Sequence, residues 1–264
     1  MEAHQAELEL QYDEQLKEKD DSEVDAAWQA AKRYNDAITP GTDNGGAFSK
    51  EAQIAAAKGY ADMLNINGDG VMGFVEIPKI DVSLPIYHGT DSTTLDRGAG
   101  HLVGSSLPIG GVGTHSIVTA HSGMASQRMF TDLEDLSEGD VFYLKVLGET
   151  LAYQVDQISV VEPHEVANLY IDKDKDQSTL ITCTPYAVNT HRLLVRGQRI
   201  PYEEAEVIVE QTPVVEATSS SWGQGYMRGI LIGLCMAIIL FILIGIVLCI
   251  RRKLKKSRKK KETT

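Results

Sequence analysis

Cys183 closes an apolar, β-type run, Thr179-Leu180-Ile181-Thr182-Cys183-Thr184-Pro185-Tyr186, and a second such run opens on a cation at His191-Arg192-Leu193-Leu194-Val195-Arg196-Gly197. The other two cysteines, Cys235 and Cys249, lie inside the uncharged apolar stretch 229–250, so no second thiol remains outside it to form a disulfide. A free cysteine is most often a small core residue, but this one has chemical company. His121 ends the run Thr114-His115-Ser116-Ile117-Val118-Thr119-Ala120-His121, just before Ser122-Gly123. A thiol, an imidazole and a guanidinium at strand termini are the parts acyl transfer needs: nucleophile, proton shuttle and oxyanion partner.

An unperturbed thiol titrates near pH 8.5 and needs a cation or base beside it to react. Arg192 begins nine positions beyond Cys183, so a hairpin closed by the intervening loop would return the guanidinium beside the thiol. Arg196 and His191 compete for these roles. Strand alternation sets His191 on the face opposite Arg192, so both competitors rank low. No cofactor and no metal is called for.

Around these residues, 73–201 reads as short β-type runs at 74–80, 116–120, 141–146, 151–161, 179–183 and 192–200, punctuated by Gly and Pro, which points to a small barrel or sandwich. Residues 3–36 place Leu8, Leu16, Val24, Trp28, Ala31 and Tyr34 among many Glu, Asp and Lys and predict one or two amphipathic helices. Residues 39–48, with Pro40 and three glycines, predict a loop, and Ser49 a cap for a helix running to about Leu64. The domain plan is an N-terminal helical region at 1–70 with a possible lid at 36–49, a catalytic β-barrel at 71–203, a stalk at 204–227, a transmembrane helix at 228–250 and a basic tail at 251–264.

The 264 residues carry a formal net charge of −12, and the tail 251–261 alone holds nine Lys or Arg, so the body is more acidic than the whole. An acidic body argues against general nucleic-acid binding. The 22 uncharged residues 229–250 suffice for about 30 Å of hydrocarbon at roughly 1.5 Å per residue. The cations that follow read as cytoplasmic or as bound to anionic headgroups, which puts the β section on the outer face of a cell membrane with a single C-terminal anchor. The polar opening Met1-Glu2-Ala3-His4 has no apolar signal core, so an N-terminal signal or anchor is expected upstream of it.

The ordered series Ile77-Pro78-Lys79-Ile80, Leu84-Pro85-Ile86-Tyr87-His88-Gly89, Gly98-Ala99-Gly100-His101-Leu102, Thr119-Ala120-His121, Thr182-Cys183 and Arg192-Leu193-Leu194-Val195-Arg196-Gly197 resembles the Gram-positive sortases over about 60–202. Thr184-Pro185-Tyr186 after the cysteine, Asn189-Thr190-His191 before the arginine and the C-terminal anchor resemble class C, the pilin-polymerising group. The resemblance implies a mainly β fold, a closed eight-stranded sortase barrel with N-terminal helices and a C-terminal transmembrane helix. It implies a cysteine transpeptidase that cleaves an LPxTG-type sorting signal between Thr and Gly. Cys183 would carry the thioacyl intermediate, His121 would protonate the leaving amine and Arg192 would hold the oxyanion or the substrate backbone. Partners would be LPxTG-bearing pilin or surface proteins, an acceptor lysine amine of a pilin subunit, and membrane lipid, with no nucleic acid.

The sequence departs from that pattern twice. Ser122 stands where class C members usually carry Arg, and no Asp-Pro-aromatic lid motif occurs between Asn35 and Leu64. A Gly-rich cover without the Pro-anchored plug is expected to close weakly over the cleft. Asn65-Ile66-Asn67-Gly68-Asp69-Gly70 with Glu76 has EF-hand spacing, but 75–80 reads as a strand, so a turn is the favoured reading. Leu107-Pro108-Ile109-Gly110 sits mid-domain and is no sorting signal of this chain. Two alternatives remain: a sortase that anchors surface proteins to cell-wall peptide, and a non-catalytic surface adhesion domain, which would not need Cys183, His121 and Arg192 together.

Overall fold

The structure, a computed structural model, describes residues 2–38, 59–124, 127–215, 232–234 and 236. Its centre is a closed barrel in the order β1-β2-β3-β4-β9-β10-β8-β7, with β5-β6 as a separate two-stranded ribbon. The strands are β1 Val71–Ile77, β2 Val82–His88, β3 Ala99–His101, β4 Thr114–Thr119, β5 Ser122–Met124, β6 Gln127–Met129, β7 Val141–Val146, β8 Glu149–Val161, β9 Asp176–Thr184 and β10 His191–Ile200. All six runs expected from alternation take part. The first ends at Ile77, because Pro78–Ile80 closes into a 3-10 turn.

Two barrel strands escaped the sequence pattern. β2 carries Pro85 in mid-run, and it is tolerated because pairing with β3 starts only at Ile86, leaving the strand open on that side at Pro85. β3 is only Ala99-Gly100-His101; a Cβ on Gly100 would come within 2.2 Å of the Gly89 carbonyl oxygen, so the close approach requires glycine.

Parallel pairing of β4 with β9 and antiparallel pairing of β9 with β10 put β9 between two neighbours. Inward residues Val118, Leu180, Leu193 and Val195 join Met72, Leu84, Ile86, Phe142 and Tyr153 in the main core. The Phe142 and Tyr153 rings stack with centroids 5.5 Å apart.

Helix α1, Glu2–Lys17, presents Leu8, Tyr12 and Leu16 at a spacing of four and seats them against Val71, Phe74 and Tyr87. Glu9 receives hydrogen bonds from Lys145 Nζ and Ser83 Oγ, both at 2.8 Å. Helix α2, Asp21–Ala37, is capped by Asp20, which accepts from Ser22 N, and lays Val24, Ala27, Trp28, Ala31 and Tyr34 on the core. Its end is clamped by Asn35, which donates to the Leu107 carbonyl at 3.1 Å and accepts from Leu107 N at 2.7 Å. Helix α3 is the single turn Ser92–Leu95, capped by Asp91.

The expected stalk is corrected at its start. Tyr202–Gln211 forms helix α4, whose Ala205, Ile208 and Val209 cover Val141, Tyr143 and Ala152 on the outer face of β7 and β8. Apolar residues at helical spacing on an acidic segment have a sheet face to bury, which an extended stalk would leave wet. Residues 216–227 of the stalk lie outside the described residues.

The same holds for the lid and helix expected at 39–58, for the basic tail, and for most of the transmembrane span. Tyr60–Asp62 is a lone 3-10 turn. Ile232–Leu234 and Met236 are helical, in a compact unit of their own at Ala217–Thr264. Among the described residues no helix is long and apolar enough to cross a membrane. The 65–70 segment is a turn in which Asn65 Oδ1 accepts from Gly70 N and Asp69 Oδ1 from Val71 N, while Glu76 lies in β1 with a carboxylate oxygen 2.7 Å from Lys145 Nζ.

Two buried histidines carry hydrogen-bonded linkages. His101 donates from Nε2 to the Ser106 carbonyl at 2.8 Å and accepts at Nδ1 from the Tyr60 hydroxyl at 2.7 Å. His115 is likewise buried, and desolvation pushes both imidazoles from the ordinary 6.5 down to about 4. Below pH 6.5 an unfolded histidine takes up a proton that the folded one refuses until about pH 4, so this contribution is complete above 6.5 and is lost across that window as pH falls. Each histidine contributes up to about 3 kcal/mol.

Two outcomes are expected. Urea unfolding between pH 7 and pH 4.5 should lose stability, and His101→Gln should flatten that slope; an unchanged slope would remove burial of this imidazole as its cause. Gly197→Ala should destabilise by about 1–3 kcal/mol in the same assay, because its Cβ would lie 2.7 Å from the Phe142 ring and 2.9 Å from Tyr153 Cβ.

Candidate active site

Cys183 and Arg192 are direct partners across β9 and β10. Residues opposed in an antiparallel pair share a face, with Cβ atoms about 4.5–5.5 Å apart. The shared face is the outward one: the flanking Thr182 lies buried beside Ala120, and Leu193 joins the barrel core. Cys183 is a free, half-buried thiol. The Arg192 guanidinium is steadied by the hairpin that returns β9 into β10, donating from one Nη to the Asn189 carbonyl at 3.2 Å and the His191 carbonyl at 3.0 Å. Within that hairpin Val188 N and Asn189 N both donate to the Pro185 carbonyl, and Ala187 and Asn189 adopt left-handed backbone.

His121 comes from the other side of β9. The parallel ladder pairs Thr119 with Ile181, and it continues past the end of β4 as Ala120 N donates to the Ile181 carbonyl at 3.1 Å and Thr182 Oγ1 to the Ala120 carbonyl at 2.9 Å. His121 follows directly, between the end of β4 and the start of β5. Its carbonyl accepts from Phe130 N at 3.0 Å, where the β5-β6 ribbon folds back. Of the three residues singled out in the sequence, Cys183 and Arg192 thus share one face, and His121 follows the strand that flanks β9 on its other side.

The competitors stand elsewhere. Arg196 is two outward positions down β10 and forms a two-pronged pair with Asp156, Nε to Oδ1 at 2.9 Å and Nη2 to Oδ2 at 2.8 Å. Asp156 is the extra residue of a β-bulge in β8, opposite the step from Arg196 to Gly197. His191 opposes Thr184 on the other face and meets its own neighbour, with Thr190 Oγ1 at 2.9 Å from Nδ1.

Sequence reasoning missed three features. Below the Cys183 and Arg192 level, Ile117, Ile181 and Leu194 form an apolar cluster on the outward face, buried under Leu169 and Val166 together with Leu102 and Val161. Alternation along β9 and β10 contained the signal for Ile181 and Leu194; nothing local marked Leu169 or Val166 as their cover. Asp96, after α3, lies 3.7 Å from His121 Nε2, a contact set by tertiary placement alone. Ser122, where the family pattern has Arg, keeps a buried hydroxyl without a hydrogen-bond partner.

A half-exposed thiol with a guanidinium across the strand, and an imidazole just past the end of the neighbouring strand, are the groups that forming and resolving an acyl thioester requires. Among the described residues no cluster fit to hold a metal occurs.

Residues 75–200 match the sortase domain family. Sortase A of Streptococcus agalactiae is 32% identical over 132 residues, covering 48% of this chain and 52% of that protein, and sortase D of Bacillus subtilis is 26% identical over 131 residues, covering 63% of its length. The chain thus spans between half and two thirds of the curated relatives it matches. The crystal structure of Streptococcus pneumoniae sortase C is 42% identical with a TM-score of 0.66, covering 74% of this chain and 97% of that one. Streptococcus agalactiae sortase C1 gives the same identity and TM-score over 74% and 98%. Identity at this level across nearly the whole of those chains, over the barrel that carries Cys183 and Arg192 on one face, makes this chain a member of the sortase family of cysteine transpeptidases, of the class C type.

Proposed function

We propose that the protein cleaves an LPxTG-type sorting signal between Thr and Gly and transfers the new acyl end to a lysine amine of a pilin subunit. The observation that carries this reading is the pairing of Cys183 with Arg192 across the hairpin. The extended peptide is read as lying along the outward face beside Cys183 and Arg192. Cys183 Sγ, as thiolate, adds to the Thr carbonyl carbon. The negative oxygen that forms accepts hydrogen bonds from Arg192. Collapse breaks the C–N bond as His121 delivers a proton to the departing Gly nitrogen. The incoming lysine amine then adds to the thioester, His121 takes its proton, and the sulfur leaves as thiolate, restoring the starting state.

The acceptor is the finer part of the proposal. The Streptococcus pneumoniae sortase C is a protein of pilin substrate specificity, and a pilin lysine is taken as the acceptor here by that likeness. Transfer to cell-wall peptide differs only in the amine supplied, so competing the two amines in one reaction and weighing the products separates them.

The domain also needs a place. The apolar run 229–250 followed by nine cations supports a single-pass anchor with the tail inside and the barrel outside. The described helical residues there, Ile232, Leu234 and Met236, expose 65%, 55% and 66% of their surface, as lipid-facing residues would.

Cys183→Ala is expected to abolish the acyl-enzyme and the polymer with the fold intact, read by mass spectrometry and thermal melting; polymer from that variant would overturn the assignment. His121→Ala and Arg192→Ala should each lose at least about 10²-fold in rate, and near wild-type turnover would remove either from the site. In wall-stripped intact cells, added protease should digest the barrel and spare a tag at Thr264, whereas loss of the tag would invert the topology.

A further inference from the structure

The mechanism leaves one charged group at the site without a task. Asp96 follows directly on α3, and its Oδ1 stands 3.7 Å from His121 Nε2. That separation exceeds the roughly 2.7–3.2 Å of a hydrogen bond. Two acceptors that each take a hydrogen from one ammonium at about 2.8 Å lie on the order of 4 Å apart, so the gap between carboxylate and imidazole fits a bridging ammonium nitrogen better than it fits direct contact. The Asp96 side chain is 60% exposed and that of His121 35%, so both are open to a group arriving from solvent.

The carboxylate is carried by a built turn. Asp91 caps α3, accepting from Thr93 N at 3.0 Å and from Thr94 N at 3.2 Å. Asp96 N donates to the Ser92 carbonyl at 2.9 Å, and Gly98 N to the Thr94 carbonyl at 3.3 Å. A Cβ on Gly98 would lie 2.6 Å from the Pro85 carbonyl oxygen, so the turn is pressed against β2. Arg97, the next residue, sets its guanidinium over the Tyr87 ring, 4.1 Å from the centroid. A carboxylate mounted in this way is preorganised to orient a ligand.

Electrostatics give that position a use. A lysine side chain titrates near pH 10.4, so an acceptor lysine arrives as an ammonium. The site it approaches already holds the Arg192 guanidinium, and like charges repel. Once the acyl-enzyme has formed, His121 has given up its proton and Asp96 faces a neutral ring; an ammonium returns a positive charge to the carboxylate's side. A carboxylate offers about four acceptor positions, so Asp96 can take this hydrogen bond and keep its other contacts.

We infer that Asp96 docks the acceptor amine: it selects a cationic amine over uncharged nucleophiles and sets the nitrogen beside His121. The bridged ammonium releases one proton to solvent, and the amine nitrogen adds to the thioester carbon. The second proton passes to His121 as the C–S bond breaks and the sulfur leaves as thiolate. The inference rests on the transpeptidase reading above.

The test uses the full chain acylated by a synthetic LPxTG-containing peptide and compares two nucleophiles, Nα-acetyl-lysine amide and hydroxylamine, which is uncharged at neutral pH. Asp96→Asn should lower kcat/KM for the lysine probe by about five- to tenfold, mostly through KM, and for hydroxylamine by less than about twofold. Asp96→Glu should keep the preference for lysine within about threefold of wild type. Raising the salt from about 0.05 M to about 0.5 M should weaken use of the lysine probe by the wild type and affect Asp96→Asn less. Equal losses with both nucleophiles would show that Asp96 only orients His121, and unchanged kinetics would show that it has no role; either result overturns the inference and leaves the transpeptidase reading standing. If Asp96→Asn does not fold, Asp96→Ser decides by the same ratio. A wild-type chain that acylates and accepts hydroxylamine but not the lysine probe would overturn the inference together with the lysine acceptor, and one that forms no acyl-enzyme would overturn the transpeptidase reading as well.

Discussion

The register of β9 between β4 and β10 is the constraint on which the rest of this structure depends. Side chains alternate along a strand, so a slip of one residue would drive Cys183 into the barrel core and bring Thr182 out. The register is held on both faces. Inward, Leu180 lies in the core and Ser116 Oγ donates to Ser178 Oγ at 2.9 Å; outward, Ile181 meets Ile117 and Leu194. On the β10 side, Gly197 permits the close approach of the Phe142 ring and Tyr153 Cβ, which a side chain there would meet within 3 Å. Barrel closure through β1 and β7 leaves the main sheet without an open edge at which the alignment could drift.

Polar atoms inside this shell are matched rather than avoided. His101, Tyr60, Ser105 and Ser106 form a connected network in which the Tyr60 hydroxyl also accepts from Gly89 N and the Ser105 hydroxyl donates to the Leu102 carbonyl. Asn35 clamps Leu107 one residue further along the same loop. The described residues on either side of 39–58 are thereby fastened to one segment, 101–107, which packs beside β4. Buried groups satisfied in this way are costly to disturb, because loss of one partner strands the other without water. The same logic applies at His115, where a neutral ring ties a loop to the strand of the nucleophile.

The site itself is sparse by comparison. Its thiol, imidazole and guanidinium are all partly open to solvent, and the guanidinium is steadied by backbone carbonyls of its own hairpin rather than by a carboxylate. Arg196, four residues on, has the opposite arrangement, neutralised by Asp156 at a bulge. One strand thus carries two outward arginines with different duties. The one that, among the described residues, has no carboxylate tied across it is suited to meet a developing negative charge.

Much of this was legible in the chain as written. Cys183 was the only cysteine outside the apolar run 229–250, the spacing to Arg192 implied a hairpin, and alternation set His191 apart from Arg192, because these inferences need only neighbours in sequence and the two-residue period of a strand. The amphipathic α1 and α2 were legible for the same reason, as was the β-rich middle. Tertiary structure decided what depends on distant partners. Pro85 and Gly100 obscured β2 and β3, whose strands exist because β1 and β4 present edges to them. Residues 204–211 read as part of a stalk until the outer face of β7 and β8 gave Ala205 somewhere to be buried. The apolar cluster below Cys183, the Asp96 contact to His121 and the bridge from His115 to Tyr170 each join segments far apart in the chain. Local propensity determines which face a residue takes; only closure of the barrel determines what it faces.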